Sequence, residues 1–173
     1  ESYQSRPGAE DALAAARGFA EGLLPACLVL TGQTGTGKSH LLAAIGWYAL
    51  GRGQSVRYEV AGEFLDRLRH SFAHRENEED LYELTAWYQH HSVLLLDDVG
   101  AEKATDFAVE RLTGLVDERL RTRLPLAVAT NLSEDELAER LGDRLASRLF
   151  QTNRELQEVR VVALTCEDFR RTG

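Results

Sequence analysis

Gly32-Gln33-Thr34-Gly35-Thr36-Gly37-Lys38-Ser39 has the spacing G-x-x-x-x-G-K-[ST], and its flanks constrain the fold more than any other feature of the chain. Ala26–Thr31 before it is a short apolar run that reads as a buried strand, and His40–Ile45 after it begins a helix. Strand, glycine loop and helix in that order aim backbone N–H groups and a helix N-terminus at one point, which makes an anion site. The glycines allow dihedrals and a close backbone approach that a Cβ would forbid. In a nucleoside-triphosphate site of this kind Lys38 pairs with the β- and γ-phosphates and the Ser39 hydroxyl holds Mg²⁺.

The rest of the chain fits a parallel sheet around that loop. Further apolar runs fall at Ser55–Val60, Ser92–Asp97, Pro125–Thr130 and Val159–Leu164, separated by helical patterns. Val93–Leu96 is apolar without alternation, as expected of a parallel strand covered on both faces. Ala108, Leu112, Leu115 and Val116 share one helical face, and Ser133-Glu134-Asp135-Glu136 is a capping box that starts another helix. Alternating β and α elements with crossovers of this length predict a three-layer α/β sandwich with five parallel strands.

Composition narrows the class. At 173 residues and 43% apolar content the chain suits one domain, and no apolar stretch approaches the roughly 18 residues that span a bilayer. Cys27 and Cys166, neither in a C-x-x-C pair, read as buried thiols in a reducing, cytoplasmic compartment. A net charge of −8 argues against a broad basic surface that coats duplex DNA. Arg119, Arg121 and Arg123 form a basic cluster and Glu76–Asp80 an acidic one; the plain reading of both is a solvated face, and of Glu76–Asp80 also a helix N-terminus stabilised by acidic residues. The sequence contains no methionine, so it reads as a piece of a longer chain whose N-terminal partner-binding region lies outside it.

Asp97 and Asp98 close the apolar run Val93–Leu96, a costly place for charge unless the site needs it. Asp97 would hold Mg²⁺ and Asp98 would orient or deprotonate the attacking water. Asp97-Asp98-Val99-Gly100 also fits the D-x-x-G of GTPases, but Thr130-Asn131-Leu132-Ser133 lacks the lysine and acid of a guanine-reading N-K-x-D. Asn131, at the tip of the fourth strand, is instead placed to position water against the γ-phosphate. Arg140, Arg144 and Arg148 recur at four-residue intervals and would share a helical face, weakened at Gly142. Glu136 pairs with Arg140. Arg144 and Arg148 have no acid three or four residues away, so an external anion or a salt bridge elsewhere in the fold must compensate them.

With these pieces in place the chain resembles an AAA+ ATPase, and within that class the bacterial replicative-helicase loaders of the DnaC/DnaI type. The resemblance rests on Gly35–Ile45 and Leu94–Gly100 and extends from Tyr3 to Arg170. It implies ATP and Mg²⁺ as cofactors, with Gly32 to His40 binding nucleotide and Lys38, Asp98 and Asn131 acting in catalysis. It makes Asn131 similar to the sensor-1 residue, Arg148 to an arginine finger assisted by Arg144, and Arg170 to a sensor-2 arginine, with little or no C-terminal lid. It implies slow ATP hydrolysis, ATP-dependent self-assembly, engagement of single-stranded DNA and a hexameric replicative helicase as partner. Segment 62–88 corresponds to the loaders' extra helical insertion, where Arg69, Phe72 and Arg75 are candidates for DNA contact. Two alternatives share the motifs: an IstB-type transposition ATPase acting on duplex DNA, and an ATP-gated adaptor with negligible hydrolysis.

Overall fold

Every apolar run becomes a strand within one residue of its expected limits. β1 is Cys27–Gly32, β2 Val56–Val60, β3 Val93–Asp97, β4 Leu126–Thr130 and β5 Val159–Leu164, all parallel, in the order β2-β3-β4-β1-β5. The computed structural model describes residues 8–23, 26–74, 88, 91–151 and 159–166, with backbone only at 71–74. The described helices are α1 (Glu10–Ala20), α2 (Lys38–Gly51), α3 (Ala61–His74), α4 (Asp106–Thr122), α5 (Glu134–Leu141) and α6 (Asp143–Phe150). Among the described residues no helix is long and apolar enough to cross a membrane.

Strand pleating sorts the core into two layers. Val29, Leu94, Leu96 and Val128 face α3, α4, α5 and α6, and Leu28, Leu30, Leu95 and Ala129 face α1 and α2. β3 and β4 are buried along their whole length, as their unbroken apolar sequences require. The predicted α4 face is buried at Ala108, Leu112, Leu115 and Val116. The capping box forms at Ser133: its backbone N–H donates to Glu136 Oε2 at 2.8 Å and its hydroxyl accepts from Glu136 N–H at 3.4 Å.

Two expectations about arginines are corrected. Arg119 is fully buried, not part of a solvated face, and donates to the carbonyls of His91, Ser92 and Pro125. Those carbonyls lie just ahead of β3 and β4, and that of Pro125 also accepts the Leu94 N–H of β3 at 3.0 Å. One guanidinium carries enough donors for all three. Burial lowers its pKa from 12.5 to about 10, so it stays charged near neutral pH.

The second correction concerns the arginine ladder. Gly142 adopts φ +89° and splits the segment into α5 and α6, so Arg140 does not share a helix with Arg144 and Arg148. Arg140 donates to the carbonyls of Ala101 and Glu102, each at 3.3 Å, because the Glu136 carboxylate is engaged in the capping box.

Candidate functional site

The phosphate loop takes its shape from three backbone positions. Gly35 and Gly37 have φ of +84° and +95°, and Gly37 caps α2 in the left-handed region. At Gly32 a Cβ would stand 2.4 Å from the Leu164 carbonyl oxygen, so no side chain fits. Thr36 turns inward: its hydroxyl donates to the Gln33 carbonyl at 2.8 Å, and its own carbonyl accepts from the Cys166 thiol at 3.2 Å. Lys38 is buried and folds back over the loop, donating to the carbonyls of Gly32 and Gln33, both at 2.7 Å. Burial lowers the pKa of its ammonium, opposed by the nearby carboxylates of Asp98 and Asp97.

The C-terminal ends of β3 and β4 meet this loop. Thr34, Gly35, Gly37, Lys38, Ser39 and His40 line one cleft together with Asp98 and Asn131. Asp97, next to Asp98 in the chain, is buried. Residues separated by up to 97 positions in sequence thus converge where parallel α/β sheets bind ligands. Asp98 holds the left-handed conformation at φ +53°, a strained one for a residue with a Cβ. Its N–H donates to Asp97 Oδ1 at 3.0 Å and its carbonyl accepts from Ala101 N–H at 3.0 Å, which fixes the strained turn.

Side chains hidden from motif reading lock the loops after β3 and β4 together. The buried Thr130 hydroxyl donates to the Val99 carbonyl at 2.7 Å and accepts from Leu132 N–H at 3.1 Å. Thr31 donates to the Leu132 carbonyl at 2.9 Å. Gly100 has φ +93°, and a Cβ there would meet Leu132 Cδ1 at 2.5 Å. Asp98 and Asn131 therefore stand on one cross-linked platform. Tyr58 is a further participant: its hydroxyl donates to Asp97 Oδ2, close to the Ser39 side chain. Its sequence signal is faint, since only the β2–β3 pairing brings β2 beside Asp97.

The other candidates lie away from the cleft or outside the description. Arg144 Nη2 and Arg148 Nε both donate to Asp117 of α4, at 2.6 and 2.8 Å. An internal carboxylate thus compensates this pair, while Leu145, Ala146 and Leu149 bury the opposite face of α6. Arg69 pairs with Asp66 at 2.9 Å, donates to Thr105 Oγ1 at 3.3 Å and lies over the Phe107 ring, so a DNA phosphate would compete with these contacts. The described part of the presumed insertion is tied to the core. Phe64, Leu65 and Leu68 are buried, and Phe64 packs edge-on against Tyr88, whose hydroxyl reaches Glu59 at 2.9 Å. The side chain of Phe72 and all of Arg75 and Arg170 lie outside the described residues.

A parallel sheet of order β2-β3-β4-β1-β5, with a glycine loop leading into α2 and two acids ending β3, defines a P-loop nucleotide-binding domain of the AAA+ kind. Comparison with known proteins agrees. The chain belongs to the IstB-like ATP binding protein family, whose model matches residues 23–172. It is 28% identical over 124 residues to the replicative helicase loader DnaC of Escherichia coli (strain K12), covering 72% of this chain and 50% of that protein. The chain therefore spans about half the length of the curated relatives it matches.

Solved structures share the fold. A crystal structure of the DnaC helicase loader matches with TM-score 0.76 at 20% identity, over 95% of this chain and 94% of that one. The replication initiator DnaA bound to AMPPCP and single-stranded DNA matches with TM-score 0.82 at 23% identity, over 95% and 49%.

Proposed function

We propose that this domain is a Mg²⁺-dependent ATPase of the helicase-loader kind. ATP drives its self-association and its engagement of single-stranded DNA, and hydrolysis releases a hexameric replicative helicase. The observation that carries this reading is the convergence of the phosphate loop, Asp98 and Asn131 on one cleft. Support comes from the helicase-loader relative and from an initiator of like fold that binds AMPPCP and single-stranded DNA.

Each residue has a distinct task in this reading. The loop N–H groups and Lys38 bind the phosphates, with Lys38 giving up its two loop carbonyls for them. The Ser39 hydroxyl and the Asp97 carboxylate fit a Mg²⁺ site, because that ion takes one or two protein oxygens and completes its shell with phosphates and water. The bound ion would neutralise charge developing on the phosphates. Asp98 accepts the proton of, or orients, the attacking water, and Asn131 positions it. Arg148, assisted by Arg144, acts on the nucleotide of a neighbouring subunit, and Arg170 acts within its own.

Arg148→Ala tests this division of labour. It should bind a fluorescent ATP analogue like wild type and lose assembly-dependent turnover. Normal turnover would remove Arg148 from the mechanism. The family match gives a second reading its weight, a transposition ATPase that acts on duplex DNA. An ATP-gated adaptor would instead show nucleotide-dependent partner binding without measurable hydrolysis.

A further inference from the structure

Tyr58 stands in the middle of β2, in register with Leu95 of β3, two residues ahead of the pair Val60–Asp97. Its ring lies partly on the surface, 40% exposed, so packing alone does not require an aromatic there. Its hydroxyl does something specific. It donates to Asp97 Oδ2 with the Ser39 side chain close by, while Asp97 Oδ1 accepts the N–H of Asp98 at 3.0 Å. Among the described residues these are the only hydrogen-bond donors to the Asp97 carboxylate.

One phenol therefore bonds Asp97 and lies beside Ser39, the two side chains assigned to Mg²⁺. Two donors, one on each oxygen, fix the plane of the Asp97 carboxylate and leave further lone pairs for a cation. A tyrosine phenol is a neutral donor. A neutral donor orients the carboxylate without cancelling its charge. A lysine in that place would orient it and repel a divalent ion.

We propose that Tyr58 is a positioning residue for the divalent cation, holding the Ser39 hydroxyl and the Asp97 carboxylate in the arrangement that receives Mg²⁺ with ATP. This rests on the assignment of Ser39 and Asp97 to Mg²⁺ made above. Tyr58 touches neither the cation nor the nucleotide and acts through the residues that do, as outer partners of metal ligands do elsewhere.

Tyr58→Phe deletes the hydroxyl and keeps the ring. Binding of a fluorescent ATP analogue would be titrated with Mg²⁺ for wild type and variant, starting from EDTA. Electron paramagnetic resonance of Mn²⁺ would read the cation directly on the nucleotide-loaded protein. The expected result is a cation midpoint raised about tenfold or more, with the loss confined to the Mg²⁺-dependent part of binding. In a Ser39→Ala background the same substitution should do less than it does alone, which a merely structural contribution to β2 would not produce. An unchanged midpoint overturns the proposal, and so does a lowered one, which would mean that the phenol obstructs the site. Melting in EDTA verifies that the variant is folded. Wild-type binding that ignores Mg²⁺ would instead overturn the metal assignment itself, a failure visible before any variant is made.

Discussion

Replacing Thr130 by valine deletes one hydroxyl at nearly constant volume, at a residue with no solvent exposure. That hydroxyl donates to the Val99 carbonyl and accepts from Leu132 N–H, so its loss strands two backbone groups. A buried polar group left without its partner costs about 1–3 kcal/mol. Leu132 is only half-buried, which puts its share at the low end. Burying a methyl in place of the hydroxyl returns up to about 1 kcal/mol. The net expectation is a destabilisation of about 1.5–3 kcal/mol. Urea unfolding followed by far-ultraviolet circular dichroism would read it as a lowered midpoint at unchanged slope. The same variant should bind ATP more weakly, because the hydroxyl joins the loops that carry Asp98 and Asn131. Stability within about 0.5 kcal/mol of wild type, an ordinary surface-substitution effect, would refute the claim that this bond locks the platform.

Asp117→Asn should change stability by less than about 1 kcal/mol, since its pairs with Arg144 and Arg148 are largely exposed. Turnover against protein concentration should nevertheless fall several-fold, because the two guanidinium groups lose their common anchor; wild-type turnover would show that the anchor has no functional weight. Arg119→Ala should destabilise by about 3–5 kcal/mol or prevent folding, because it opens a cavity and removes a buried donor from the carbonyls of His91, Ser92 and Pro125; a thermal melt decides. Glu102 adds a pH dependence. Burial raises its carboxyl above the ordinary 4.5, opposed by the backbone N–H groups of Glu102 and Gly100, and Oε1 is buried with no hydrogen-bond partner among the described residues. The folded state therefore holds this proton longer than the unfolded one. The associated stability is full below pH 4.5 and is lost as pH rises through the raised value. Glu102→Gln should flatten that slope in urea midpoints measured from pH 4.5 to 7.

The elements that sequence made legible are those whose signal is local. The apolar runs, the glycine loop, the capping box at Ser133 and the buried face of α4 each depend on residues a few positions apart. Asp97 and Asn131 were legible because strand ends in a parallel sheet face one side. What escaped was set by pairing across the fold. Arg119 looks solvated in sequence because charge usually is, yet three carbonyls ahead of two strands accept its guanidinium in the interior. Asp117 is 27 residues from Arg144, and only the packing of α4 against α6 brings them together. Tyr58 needed the β2–β3 register. Gly142 could be flagged as a weak point, but its positive φ and the resulting break appear only with coordinates.

The most direct test of the account is fluorescence anisotropy of labelled single- and double-stranded oligonucleotides at matched salt, with a non-hydrolysable ATP analogue, with ADP and without nucleotide. The account predicts binding to the single strand that requires the ATP analogue and disappears in Lys38→Ala. Preference for duplex under the same conditions would contradict it and assign the domain to transposition.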